Sequence, residues 1–287
     1  MPTAQLAPGE LLDLMPDVAC VVDPDGVLLY VSAAFERVFG YTRDEVLGRH
    51  VFDLVHPEDR EATREQAARL MEGLGARHFR NRYVHRAGHA VDLLWSAQWL
   101  PEHGVRVAVG RDVTELRRLE RELEHRANHD ALTGLANRQR LHELLEHAIA
   151  DASRTDTPLA LLYIDIDAFK AVNDAHGHEA GDRVLVEVAR RLQAGLWHGG
   201  TVARMGGDEF VALLPGCDDQ GARGVIEALH VQLLVPFGVA GGYVPIGASI
   251  GAAAYPADAQ QPDALINRAD SAMYACKRRR APAVTPA

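Results

Sequence analysis

The chain has 287 residues, 47% hydrophobic and 24% charged, with a formal net charge of −10. That length suits about two globular domains with cores of their own, and the negative charge excludes a sequence-wide basic field for nucleic acid or anionic membrane. Three scattered cysteines, Cys20, Cys217 and Cys276, exclude a disulfide or zinc framework. No apolar run reaches the ~20 residues of a membrane helix. Residues 1–10 carry no basic and apolar leader, so a cytoplasmic protein is expected.

Residues 18–22 and 27–31 read as strands joined by the turn Asp23-Pro24-Asp25-Gly26. Phe35, Val38 and Phe39 share one face of a short helix, and Thr42 with Glu45 fits a capping box opening the next. Pro57 starts a longer helix to about Leu74, and three strands follow at 78–85, 91–99 and 105–111. The expectation for residues 9–114 is an antiparallel sheet with helices inserted after its first hairpin, an α+β plan.

Residues 115–127 place Leu116, Leu119, Leu123 and Ala127 on one narrow helical stripe among charged residues and histidine. Such a helix suits either a two-stranded coiled coil or a seat on its own domain. In the third segment, 128–281, strands at 159–165, 201–203, 210–214 and 244–254 alternate with helices at 138–152, 182–196, 220–234 and 262–277. This is expected to be α+β around a mostly antiparallel sheet, with residues 282–287 as a disordered tail.

The chemistry-bearing residues lie in this third segment. Arg204-Met-Gly-Gly-Asp-Glu-Phe210 puts two glycines and two carboxylates at a hairpin turn. Gly206 and Gly207 permit the turn, and Asp208 and Glu209 sit on it. An acidic surface hairpin is the plain reading of those seven residues alone. The strand 159–164 ends in Asp165-Ile166-Asp167, where period two puts the two carboxylates on one side. A carboxylate closing a buried strand needs a partner or a cation, and Asp165 with Asp208 would make the pair that Mg²⁺ takes beside phosphates. Lys170, Asn173, His178 and Asp182 follow closely. Singly, Lys170 reads as a solvated charge, Asn173 as a turn residue and Asp182 as a helix-capping carboxylate.

Taken together, Asp165-Ile-Asp-Ala-Phe-Lys-Ala-Val-Asn-Asp-Ala-His-Gly-His-Glu-Ala-Gly-Asp182 and Ala203-Arg-Met-Gly-Gly-Asp-Glu-Phe210 closely resemble the GGDEF diguanylate cyclase domain. Asp130-Ala-Leu-Thr-Gly-Leu-Ala-Asn-Arg138, Ser249-Ile-Gly251 and Ala269-Asp-Ser-Ala-Met-Tyr-Ala-Cys-Lys277 extend the resemblance over the whole segment. The first segment, ending in Arg111-Asp-Val-Thr114, resembles a PAS sensory domain before a signalling helix.

The resemblance implies a nucleotidyl-cyclase-like sheet flanked by helices and a homodimer joined through the PAS domain and linker helix. Two GTP, one per subunit, would condense to cyclic di-GMP and two pyrophosphates. Matched by position, Asp165, the Ile166 carbonyl and Asp208 would hold Mg²⁺ or Mn²⁺. Asp208 would be the base, alone or with metal activation of the hydroxyl, and Glu209 a further catalytic and metal residue. Asn173 and Asp182 match guanine-reading positions. A carboxylate at Asp182 accepts from guanine donors that adenine lacks, which favours the all-guanine product. His178, Phe169, Gly206 and Gly207 match substrate contacts, and Lys170 and Lys277 phosphate contacts.

Two departures stand out. The Arg-x-x-Asp of the family's product-inhibition site is replaced by Trp197-His-Gly-Gly200, which predicts weak or no feedback there. A family arginine four residues after Lys277 is Ala281 here, with Arg278, Arg279 and Arg280 as substitutes. The PAS ligand is left open. No cysteine lies near Gly48 to Leu54 for flavin–thiol chemistry, and no histidine lies between Thr63 and Leu74 for haem. His56, His78, His85 and His89 read as ordinary histidines, and Trp95 and Trp99 as core or interface. The alternative function is a silent GTP-binding module, against which the intact Asp165, Asp208 and Glu209 argue.

Overall fold

The structure, a computed structural model, describes residues 7–74, 78–196, 199–240 and 242–280. It divides into two compact units, Met1–Glu122 and Leu123–Ala287.

In the first unit the elements run α1 (Pro8–Leu14), β1 (Val18–Val22), β2 (Leu28–Val31), α2 (Ala33–Phe39), α3 (Arg43–Val46), α4 (Val51–Leu54), α5 (Arg60–Met71), β3 (Phe79–Val84), β4 (Ala90–Leu100) and β5 (Val105–Asp112). The strands form one antiparallel sheet in the order β2-β1-β5-β4-β3. The turn between β1 and β2 closes where Asp23 Oδ1 accepts the Val27 N–H at 2.8 Å. The predicted box at α3 forms in part: the Thr42 N–H donates to Glu45 Oε2 at 2.8 Å. Phe35, Phe39, Tyr83 and Trp95 make a chain of ring contacts through the core, at centroid distances of 4.6, 5.1 and 5.4 Å. The long helix expected from Pro57 to Leu74 is shorter: a 3₁₀ turn at Pro57–Asp59 precedes α5, which ends at Met71. The helix α1 was not expected, since seven residues are too few to show a period.

Helix α6 (Thr114–Asn128) carries the boundary between the units. Its Leu116, Leu119 and Leu123 are exposed, and Arg118 pairs with Glu115 and Glu122 on a polar face.

The second unit continues with α7 (Arg138–Thr155), β6 (Leu159–Ile166), α8 (Phe169–His176), α9 (His178–Gly195), β7 (Thr201–Gly206), β8 (Glu209–Pro215), α10 (Asp219–Leu233), β9 (Phe237–Val239), β10 (Gly242–Val244), β11 (Ala248–Tyr255) and α11 (Pro262–Arg280). Its main sheet is antiparallel throughout, in the order β11-β6-β8-β7. Every residue of β6 is buried, because helices cover both faces. Leu162, Ile164 and Ile166 pack with Val184, Val188 and Leu229 of α9 and α10. Leu161 and Tyr163 pack with Leu141 and Leu145 of α7 and Met273 of α11. Each such leucine contributes about 1.5–3 kcal/mol by burial.

Two expectations change here. The single strand at 244–254 is broken into β10 and β11 around Pro245, which has no N–H to donate. The freed Gly247 carbonyl accepts from the Asp167 N–H at 3.0 Å. The helix expected from Asp182 begins at His178, so Asp182 lies a turn inside α9 rather than capping it. Strand β6 ends at Ile166, yet Asp167 stays on the side of Asp165, since it accepts from Ser249, the residue paired with Asp165.

Candidate functional site

Antiparallel register aligns one row of residues at the end of the sheet. Ser249 of β11 pairs with Asp165 of β6, Asp165 with Glu209 of β8, and Glu209 with Gly206 of β7. Residues paired across antiparallel strands project to the same face, so the buried Asp165 and the half-buried Glu209 share a side. Between β7 and β8 lies a two-residue loop, Gly207 and Asp208. Gly207 has φ of +55° and Asp208 has none in that region, the pattern of a type II′ hairpin with glycine first. The Asp208 carbonyl accepts from the Ile166 N–H at 3.2 Å, which ties the loop to the end of β6.

Three carboxylates at this end have hydrogen-bond partners. Asp165 Oδ1 accepts from Lys277 Nζ of α11 at 2.6 Å. Glu209 Oε2 accepts from the Tyr163 hydroxyl at 3.0 Å. Asp167 Oδ1 accepts from the Ser249 hydroxyl at 2.7 Å. Burial pushes the Asp165 carboxyl above the ordinary aspartate range; Lys277 opposes that, and the nearby charges of Asp208 and Asp167 add to it. The bond to Asp165 in turn raises Lys277. Burial, then the Glu209 charge, raises the Tyr163 phenol, which stays protonated and donating.

The turn is clasped by Arg204, whose role was not read from the sequence. Its Nε and Nη2 donate to the Gly207 carbonyl at 3.0 and 2.7 Å. Its Nη1 donates to both oxygens of Asp130 at 2.9 and 3.1 Å. Burial works to raise the Asp130 carboxyl, but bonds from Thr133 and Arg204 overcome it and hold it below the ordinary range. Both residues stand inside the quoted motifs, but nothing in their spacing says that they meet. The signal available was a guanidinium two residues before a Gly-Gly turn, where carbonyls need donors.

The other expected residues lie on α8 and α9. Phe169 is buried at the start of α8, while Lys170, His178 and Asp182 are exposed. Asn173 is lodged against α9: a Cβ added to Gly181 would lie 1.9 Å from Asn173 Oδ1 and 3.1 Å from Phe169 Cζ. Gly181 therefore allows the close approach that sets Asn173 beside Asp182. Trp197, His198, Ala281 and the tail, on which the two departures and the disorder expectation fall, lie outside the described residues, and so does the Arg280 side chain.

Asp165, Asp208 and the Ile166 carbonyl are hard oxygen donors, suited to Mg²⁺ or Mn²⁺ rather than to soft metals. The charge of Asp208 is close enough to act on Asp165, and the Lys277 ammonium stands on Asp165 as a cation would. The residues fit such an ion. Among the described residues no group of three or more His, Cys, Asp or Glu is placed to hold a metal; two carboxylates and a carbonyl fall below that count.

The family model described as diguanylate cyclase, GGDEF domain, matches residues 127–282, more than half of the chain. The chain belongs to the GGDEF domain family. The PAS fold model matches residues 9–85, so this is a PAS-GGDEF protein. Among relatives of the GGDEF segment, the bifunctional diguanylate cyclase/cyclic di-GMP phosphodiesterase MucR of Pseudomonas aeruginosa is 46% identical over 164 residues, 57% of this chain and 24% of that one. Diguanylate cyclase TpbB of the same species is 42% identical over 158 residues, 54% of this chain and 36% of that one. The GGDEF chain thus spans about a third or less of the length of these curated relatives. The crystal structure of the coiled coil and GGDEF domain of DgcB from Caulobacter crescentus, in complex with c-di-GMP, aligns with a TM-score of 0.54 at 30% identity. It covers 58% of this chain and 90% of that one. No helix among the described residues is long and apolar enough to cross a membrane.

Proposed function

We propose that this GGDEF protein is a diguanylate cyclase that joins two GTP into cyclic di-GMP and two pyrophosphates. The observation that carries the reading is the row at the sheet end: a buried Asp165, aligned with Glu209, beside the Asp208 turn and under Lys277. A buried carboxylate such as Asp165 is costly as mere surface decoration. Membership of the family and the names of the cyclase relatives support the same chemistry.

Asp165, the Ile166 carbonyl and Asp208 hold the divalent cation. When bound, Mg²⁺ or Mn²⁺ offsets triphosphate charge and acidifies the attacking 3′-hydroxyl. Asp208, on a turn held by Arg204, takes up the proton of that hydroxyl. Tyr163 keeps Glu209 oriented beside it. Lys277 exchanges Asp165 for a phosphate oxygen, and Lys170 adds a second positive charge on the exposed side. Asn173 and Asp182 read guanine, His178 and Phe169 line the nucleotide, and Gly206 and Gly207 let it approach the backbone.

One turn supplies half of the reaction, so the active species is a homodimer with two turns face to face. The exposed Leu116, Leu119 and Leu123 stripe on α6 supports pairing through the linker. Residues 9–114 form the sensory domain, 115–127 the linker and 128–281 the cyclase, with control from the PAS side. Product feedback through positions 197–200 is weak or absent, since neither the guanidinium nor the carboxylate is there.

The test incubates the full chain with GTP and Mg²⁺ and measures pyrophosphate and cyclic di-GMP. Product from wild type and none from Asp208→Ala is expected. No wild-type product, or unchanged product from the variant, ends this reading.

A further inference from the structure

The first unit contains a half-open cavity of about 90 Å³. Its wall is mostly apolar and includes Val22, Phe52, Leu70, Phe79 and Ala97. Arg106 of β5 also lines it, opposite Val22 in register, and is only 6% exposed. Its Nε has no hydrogen-bond partner. Its Nη2 reaches the Asp23 carbonyl only at 3.5 Å, the weak limit of a hydrogen bond. The Asp23 carboxylate is held by the Val27 N–H instead.

No neighbour in the cavity supplies the missing negative charge. Burial pushes the Cys20 thiol up to about 12 despite the pull of Arg106, so it is neutral. Burial raises the Tyr83 phenol as well. Asn81 is already committed, accepting from Trp95 Nε1 at 2.9 Å and donating to Thr63 Oγ1 at 3.0 Å. A guanidinium keeps its proton even when buried, and the Asp23 charge acts on it from outside the cavity without a side-chain bond, so the wall holds a buried cation with an unpaired Nε. That is costly, and a bound anion removes the cost.

We propose that this cavity binds a small monocarboxylate, with its carboxylate on Arg106 and its short apolar body against Phe52, Leu70 and Phe79. A planar guanidinium matches a carboxylate through paired hydrogen bonds. One cation in the wall asks for one negative charge, and the other polar groups of the lining, Thr63, Gln66 and Asn81, are neutral. An apolar cavity of about 150 Å³ holds benzene, so this smaller one limits the body to about three or four carbons. The proposal concerns the first unit alone and does not depend on the cyclase reading.

Calorimetric titration of the full chain with butyrate tests it, with butyramide as the uncharged analogue and chloride held constant. Butyrate is expected to bind with a dissociation constant of about a millimolar, a fair efficiency for about six heavy atoms. Butyramide should bind about tenfold more weakly or worse. Arg106→Gln should erase the preference. If that variant does not fold, Ala97→Leu decides: it keeps Arg106 but fills the cavity, and should lose butyrate binding by a similar factor. Equal binding of the two ligands by wild type, or no butyrate binding, overturns the proposal. So does an Arg106→Gln variant that keeps the preference, or an Ala97→Leu variant that binds butyrate as wild type does.

Discussion

Asp165→Asn is expected to stabilise the fold while abolishing the proposed chemistry. Asp165 is buried, with its side chain 9% exposed, and its carboxylate accepts a 2.6 Å bond from Lys277. Burial is the main effect raising its pKa, with Asp208 and Asp167 adding and Lys277 opposing. Ionised and without a metal, it is a net cost to the fold. Asparagine keeps the shape and the Oδ1 acceptor for Lys277 and removes the charge. Desolvating an ion costs several kcal/mol, but the pair with Lys277, whose side chain is 44% exposed, offsets part of that. A net gain of about 1–2 kcal/mol at neutral pH follows, a shift of a few degrees in melting. Hydrogen exchange at the β6 amides measures it on the second unit alone. Because the folded pKa is raised, the wild type gains stability as pH falls through that value towards the ordinary aspartate value. The advantage of asparagine is therefore largest near neutral pH and vanishes in acid, where both side chains are uncharged. Adding Mg²⁺ at about ten times its dissociation constant should stabilise wild type by about 1.4 kcal/mol and leave the variant unmoved. A variant less stable than wild type by about 1 kcal/mol without metal, or an advantage that grows in acid, would refute the reasoning.

Arg204→Met removes the clasp on the signature turn and leaves Asp130, 22% exposed, without its cation. A loss of about 2–3 kcal/mol is expected by urea denaturation, below the full cost of a buried broken pair because water reaches Asp130. Since Asp130 is held below its ordinary pKa, the loss should be full above the ordinary value and shrink as pH falls towards the folded one. A denaturation midpoint unchanged at neutral pH counts against the clasp. Gly181→Ala sets a methyl where Asn173 Oδ1 stands. The helix itself gains about 0.5–1 kcal/mol from alanine, so stability should hold while affinity for a non-hydrolysable GTP analogue falls about tenfold. Equal affinity in the two proteins would remove Asn173 from the guanine site.

Much of this architecture was legible because local patterns leave local marks. Alternation and turn residues at Asp23–Gly26 gave the first hairpin, and the apolar run at 159–164 gave a strand covered on both faces. The Gly-Gly-Asp-Glu stretch was readable as a turn because only a few residues tolerate a positive φ, and Gly207 adopts one. The break at Pro245 was readable in principle, since proline cannot donate to a ladder, yet the apolar run across it masked the signal. Helix α9 starts earlier than expected because Gly177, at φ of +81°, turns the chain before His178.

What the sequence determined by itself is most of the elements, the family and the acidic character of the candidate site. These follow from spacing along the chain, which a residue's own neighbours enforce. Only the tertiary structure decided the partners: Arg204 with Asp130 across 74 positions, and Lys277 with Asp165 across 112. It also decided that Arg106, an ordinary strand arginine by sequence, is buried against a cavity with its Nε unpaired. Such pairings depend on strand register and on which helix covers which face, and no local pattern encodes either one.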